Sequence, residues 1–456
     1  VPSRPNIVLI VADDHRFDAA GALGNPAVHT PALDALAGAG VAFGRTYIMG
    51  GYSGAVCVPS RACLLTGTDV FSATRRPDAG AGWAPADLNP ELLTLPEVFR
   101  AADYHTHGIG KWHNGKRSFG RGFAGGARIF FGGMSDHRAV PLHDFDASGA
   151  YPDTAARKGA GFSSELFADA AVDFVRGYRG QAPFLLYLAF TAPHDPRTPP
   201  AEFAARYDPD AVSLPPNWLP DHPFDNGELR IRDEELDAHP RTAGALRRHI
   251  AGYYAMITHM DAQIGRVLHA LHRSGRGEDT LVAYTADHGL AVGQHGLLGK
   301  QNLYDCSVRV PLLLAGPGLP RGRRVEGLHH AHDILPTLCA LTGVAAPAAA
   351  RGRSLLPLLA GDPGAARPSV HAVYRDLQRM VCDGRWKLIR YYRRAETGPG
   401  TDRLQLFDLS ADPWEMRDLS AEPGQRGQIA RLAADLADWQ RRVGDPLAPV
   451  PVVPGV

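Results

Sequence analysis

Asn6-Ile7-Val8-Leu9-Ile10-Val11-Ala12-Asp13-Asp14 is an apolar, β-branched run of strand length that stops at two carboxylates. A strand apolar on both faces belongs to a parallel sheet covered by helices on each side, because an antiparallel strand with one wet face alternates apolar and polar residues. Ligand sites in open α/β sheets lie at the carboxyl ends of strands, and Asp13 and Asp14 fall there. Adjacent carboxylates are costly to bury without a positive group between them. The pair is either a solvated acidic turn or one side of a cation site.

Outward from that run, residues 183–190 and 280–286 read as further buried strands. The first ends in Thr191-Ala192-Pro193-His194-Asp195-Pro196 and the second delivers Asp287-His288-Gly289. Residues 104–110 predict a strand ending in Lys111-Trp112-His113, whose spacing puts Lys111 and His113 on one side, as a solvated edge or as part of a site. Residues 310–314 add another strand. Helical spacing covers 92–102, 163–178 and 241–273, the last with Tyr253, Ile257, Met260, Ile264 and Leu268 near one face, and Thr30-Pro31 reads as an N-cap followed by Pro at the first helical position. Residues 114–160 read as loops over the strand ends, and 199–240, rich in proline and charge, as a surface excursion. After about residue 361 the texture changes to short segments. There 386–389 and 404–409 suit an antiparallel pair, 412–415 a turn and 425–442 a helix, which divides the chain into 1–361 and 362–456.

Composition narrows the partners. The 456 residues carry 48 basic and 48 acidic side chains, so no overall field points to nucleic acid or to a membrane surface. No apolar run approaches the roughly 18 residues of a membrane span. Five cysteines without metal-finger spacing argue against a full disulfide framework. Compartment stays open, with periplasmic or secreted favoured over cytoplasmic; any signal peptide would already be absent from this numbering.

The chemistry gathers around Cys57-Val58-Pro59-Ser60-Arg61-Ala62-Cys63-Leu64-Leu65-Thr66-Gly67. Pro59 and Ser60 ahead of an apolar run predict a helix start, where unpaired N–H groups favour negative charge, with Cys57 at its mouth; the plainer alternative is a small buried cysteine. Cys-x-Pro-Ser-Arg followed by Leu-Leu-Thr-Gly resembles the signature of the type I sulfatases, in the alkaline-phosphatase-like superfamily. Thr30-Pro31-Ala32-Leu33-Asp34-Ala35-Leu36, Lys111-Trp112-His113, Pro193-His194, the stretch Gln294–Lys300 and Asp333-Ile334-Leu335-Pro336-Thr337 resemble further elements of that family in the same order.

The resemblance implies a doubly wound, mostly parallel α/β fold with a small carboxyl-terminal α+β subdomain. It implies conversion of Cys57 to formylglycine by a formylglycine-generating enzyme, and a divalent cation held by Asp13, Asp14, modified Cys57, Asp287 and His288. The family points to Ca²⁺, and the oxygen-rich set also admits Mg²⁺; many members have Asn where this chain has His288, and imidazole is acceptable to Mn²⁺ or Zn²⁺. Arg61 would orient the formylglycine hydrate, His113 would contact it, and Lys111, His194 and Lys300 would hold the sulfate. His113, His194, His295 and Lys300 are all able to protonate the leaving group. Around the substrate, Asp195, Arg197 and His295 join Lys111, His194 and Lys300. With Arg121, Arg128, His137, Arg138 and His143 in the loops, they favour a sulfated mono- or oligosaccharide over an aryl sulfate. The nearest rival is a phosphonate monoester or phosphodiester hydrolase of the same superfamily; from another class, it is a catalytically silent sulfoglycan-binding protein.

Overall fold

The structure, a computed structural model, describes residues 4–75, 87–393 and 398–447. The amino-terminal run forms β1 (Asn6–Asp13), buried from Ile7 onward. It is followed by α1 (Pro31–Ala39), β2 (Gly40–Tyr47), the two-residue β3 (Gly50–Gly51) and α2 (Cys57–Thr66). Next come β4 (His105–Lys111), β5 (Gly125–Phe130), α3 (Ser163–Gly177), β6 (Phe184–Pro193) and the long α4 (Ala243–Arg273). β7 (Thr280–Ala286), β8 (Arg309–Ala315), β9 (Arg323–Val325) and β10 (His329–His330) complete the large sheet. β11 (Val370–Tyr374), β12 (Gln378–Cys382), β13 (Trp386–Tyr391), β14 (Arg403–Asp408) and α5 (Arg426–Val443) form the carboxyl-terminal part.

Among the described residues the large sheet runs β9-β2-β8-β7-β1-β6-β4-β5, with β10 also beside β2. Its β7-β1-β6-β4-β5 portion is parallel, as the two-sided apolar strands predict, and β8 is antiparallel to both its neighbours. Alternation along β1 sorts its side chains to two cores. Val8, Ile10 and Ala12 pack with Leu33 of α1, Phe167 of α3 and Met260 of α4, whereas Ile7, Leu9 and Val11 share a core with Leu64 and Leu65 of α2. Register sets Ala12 opposite Ala286 and Asp13 opposite Pro193, so the ends of β1, β6 and β7 open at one edge of the sheet.

Three details depart from expectation. Residues 114–160 are not all loop: they contain a short helix (Lys116–Gly122) and β5, which extends the parallel sheet at its edge. Thr30 precedes α1 but does not cap it; its hydroxyl donates to Asp34 at 3.0 Å and accepts from the Gly21 N–H at 2.8 Å. The second sheet pairs β13 with β14 as read from sequence, but its order is β14-β13-β12-β11-β3, so its last strand comes from Gly50–Gly51, far upstream. Lys387 of β13 reaches out of that sheet to Asp305 (2.8 Å) and Glu415 (2.7 Å), and Asp445, just past the end of α5, meets Arg379 and Tyr52.

Candidate active site

α2 begins at Cys57, which is 2% exposed. The backbone before it packs tightly, since a Cβ on Gly51 would stand 2.1 Å from the Pro59 ring. Cys57 Sγ lies 3.1 Å from His288 Nε2 and 3.7 Å from Lys300 Nζ. The Ser60 hydroxyl donates to the Asp287 carbonyl, and Arg61 Nε donates to Asp287 Oδ2 at 2.8 Å, so one helical turn ties the end of β7 to residue 57. Arg61 Nη1 donates to the Lys111 carbonyl (2.9 Å) and to Tyr187 (3.2 Å). Lys111 Nζ, leaving β4, donates to Asp13 and to the Gly133 carbonyl, and Lys300 Nζ donates to Asp14 Oδ1 at 2.9 Å.

Asp13, Cys57, Asp287 and His288 bring ligand atoms within 4.8 Å of one another; Asp13, Asp14 and His194 do the same. The His288 ring joins the groups, with Nδ1 3.1 Å from Asp14 Oδ1. Asp13 Oδ1 and Arg61 Nη2 are buried without a hydrogen-bond partner among the described residues. Since buried polar atoms are almost always paired, an acceptor and a donor are left for groups the protein itself does not supply. Carboxylate oxygens with one imidazole and the residue-57 side chain form a donor set that fits a divalent cation.

Charge in this cluster is balanced by contact rather than by solvent. Burial, and then Asp287, push the Asp13 carboxyl up, but Lys111, His194 and Arg61 bring it below the usual range. Burial likewise opposes ionisation of Asp14, which His194, Lys300 and His288 overcome, and of Asp287, which His288, Arg61 and Lys111 overcome. The Cys57 thiol, raised by burial, is pulled below its ordinary value by Lys111, Lys300 and His288. His113 is held down to about 2 by burial and by Lys111 and Arg61, and its Nδ1 has no partner among the described residues, so the ring is neutral at the cavity wall.

Above Cys57 opens a cavity of ≈ 330 Å³ whose wall includes His113, His194 and Lys300. The structure thus brings together Asp13, Asp14, Cys57, Arg61, Lys111, His113, His194, Asp287, His288 and Lys300. It does not bring His295, expected on the substrate: that ring stacks on Tyr304 at 3.7 Å and meets Asn217 at 3.1 Å. Arg197 also turns away, toward His249 and the Tyr253 ring, and Asp195 stands behind His194, with Oδ1 3.2 Å from its Nδ1. Of the loop cations, Arg121 is held by Glu97 and the Pro90 carbonyl, and His137 lies beneath His194, meeting its carbonyl at 2.9 Å; Arg128, Arg138 and His143 also lie outside the cavity wall. The wall instead contains Met134, Glu228, Ile231, Arg232, Asp233 and Arg375. Motifs do not mark these residues, since Met134 lies in the loop after β5, Glu228 to Asp233 in the charge-rich excursion and Arg375 in a hairpin turn, all without periodicity.

The sulfatase family's sequence model matches residues 5–344, and one for the carboxyl-terminal part of N-sulphoglucosamine sulphohydrolase matches 293–442. An arylsulfatase of Clostridium perfringens is 29% identical, over 91% of this chain and 90% of its own length. An ulvan-active sulfatase of Formosa agariphila is 29% identical, over 97% and 82%. A protein solved with its substrate D-glucosamine-2-N,6-O-disulfate superposes with a TM-score of 0.82 at 22% identity, covering 98% of this chain and all of that one. With the family's model running from β1 through the Asp287-His288 strand end, the chain belongs to the sulfatase family and is a hydrolase of sulfate esters.

Proposed function

We propose that the chain desulfates carbohydrates, with residue 57 as formylglycine and one divalent cation held by Asp13, Asp14, Asp287, His288 and residue 57. The observation that carries this is the buried cluster at the start of α2, where the three carboxylates, His288 and Cys57 converge on an unpaired Asp13 oxygen and an unpaired Arg61 nitrogen. Formylglycine supplies a hydrated aldehyde whose two hydroxyls serve attack and release. The bound cation supplies Lewis-acid stabilisation of charge on oxygen, with Ca²⁺ favoured by the carboxylates and Mn²⁺ or Mg²⁺ as alternatives. Lys111, His194 and Lys300 offset negative charge on the sulfate oxygens. Protonation of the leaving oxygen falls to His194 or Lys300, since His113 is held neutral and His295 lies away from the cavity. A sugar as the leaving alcohol is supported by the ulvan-active relative and by the glucosamine disulfate held by the protein of similar fold.

A release assay across sulfated sugars, aryl sulfates and phosphonate monoesters tests the proposal, using protein whose residue-57 state is known from peptide mass. Turnover should track the formylglycine fraction, collapse on chelation and return with Ca²⁺ or Mn²⁺. Full activity from protein carrying only the Cys57 thiol, or from chelated protein, would rule the mechanism out.

A further inference from the structure

The cavity wall opposite the cation cluster has no part in the chemistry just described. Arg375, in the turn after β11, takes a left-handed φ of +46°, uncommon for a residue with a Cβ, and its guanidinium meets the Glu228 carboxylate. Both side chains are nearly hidden, at 11% and 4% exposure. Arg232 is 45% exposed yet doubly engaged: its Nη2 donates to Asp195 Oδ1 at 3.1 Å and lies 2.5 Å from Asp233 Oδ1. Gln301 Nε2 locks this arrangement to the nucleophile's segment, donating to Asp233 Oδ2 (2.8 Å) and to the Gly54 carbonyl (3.0 Å).

Charge pairing in this wall decides what it can recognise. In the wall the Arg232 and Arg375 guanidiniums stand beside the Asp233 and Glu228 carboxylates, and Asp195 meets Arg232 from behind the wall, so each guanidinium already has an anion. A uronate seeks an arginine that can receive it bidentately, and here it would meet carboxylates as close neighbours. A quaternary ammonium seeks an aromatic face, and an aryl group an apolar slot; no Phe, Tyr or Trp lines the cavity among the described residues, whose larger apolar side chains are Met134 and Ile231. A hydroxyl both donates and accepts. Guanidinium N–H groups alternating with carboxylate oxygens match a ring that carries several.

We propose that Glu228, Arg232, Asp233 and Arg375 determine specificity, and that as paired charges they select a single terminal sugar ring that is uncharged apart from its sulfate, in preference to a sulfated uronate. The inference rests on the carbohydrate-sulfatase reading and adds the class of sugar. The ≈ 330 Å³ of the cavity sits at the small end of ligand sites, in keeping with one ring.

Matched substrates test it: a hexose sulfated at one of positions 2, 3 or 4, against the hexuronate sulfated at the same position, which differs only in carboxylate for CH₂OH at C6. For the wild type, kcat/KM should favour the hexose by at least about tenfold. Glu228→Gln keeps the shape and removes one carboxylate from beside Arg375, so the uronate should gain and the ratio narrow by at least about threefold. Asp233→Asn makes the same test from the other side should the first variant fail to fold, with Tm and metal content read for each. Equal rates or a preference for the uronate in the wild type, or an unchanged ratio in a folded variant, would overturn the assignment. Should aryl sulfates or phosphonates be cleaved and no saccharide sulfate, the carbohydrate reading fails first and this inference goes with it.

Discussion

Arg61 shows how a single side chain can join structure to chemistry. It is wholly buried, and its charge is met by Asp287 at 2.8 Å, with Tyr187 and the Lys111 carbonyl taking further donors. A buried pair adds little over well-packed apolar residues, but removing one partner leaves the other uncompensated. Arg61→Met is therefore expected to lower unfolding free energy by about 3–5 kcal/mol and to abolish turnover. Urea denaturation measures the first, and a loss below about 1 kcal/mol would mean that Asp287 had been re-paired. At this scale the places of Cys57, Arg61, Lys111, His113 and His194 were legible in the chain, because each sits at a strand end or helix start whose position follows from a neighbouring apolar run; their roles were implied only by the family resemblance. His295 was misread for a backbone reason. Positive φ at Gly293 (102°), His295 (53°) and Gly296 (73°) turns the stretch back on itself, so the imidazole points to Tyr304 while Lys300 alone reaches Asp14.

Elements differ in legibility according to what buries them. β1, β6 and β7 are covered on both faces and announce themselves as unbroken apolar runs. β5, reading Gly-Gly-Ala-Arg-Ile-Phe on the sheet edge, has no such run, and β3 is two glycines whose only claim to be a strand is a partner in β11. Non-local pairing of that kind leaves no local trace. It does leave a mechanical one: Gly50 has φ +70°, and a Cβ there would stand 2.1 Å from the Val373 carbonyl oxygen. Gly50→Ala should prise β3 from β11, costing about 1–3 kcal/mol and lowering activity with it, since the same segment leads into Cys57. Thermal unfolding and turnover measured together check this; an alanine variant as stable and active as wild type would show the pairing to be idle.

For the molecule as a whole, pH acts through histidines kept neutral inside it. Burial holds His15, His137, His222 and His332 down to about 4, whereas in the unfolded chain imidazole takes its proton near 6.5. Between those values the unfolded state binds more protons. The stability these rings contribute is complete above pH ~6.5 and is lost as pH falls toward 4, at about 1.4 kcal/mol per pH unit for each ring. Urea midpoints at pH 7 and pH 5 should therefore drop on acidification; equal midpoints would show that these rings do not govern acid stability. The pairing of β3 with β11 also has a consequence in time. Pro59 and Arg61, which on the proposed formylglycine chemistry a maturing enzyme would read, are buried once the fold closes. The strand that fixes the segment ahead of them, Val370–Tyr374, leaves the ribosome about 300 residues after Cys57; at about 5–20 residues per second that is an interval of about 15–60 s. If residue 57 is converted to formylglycine as proposed, conversion would belong to the life of the nascent chain, and folded protein still carrying Cys57 should stay unconverted when incubated with a formylglycine-generating enzyme, however long the wait.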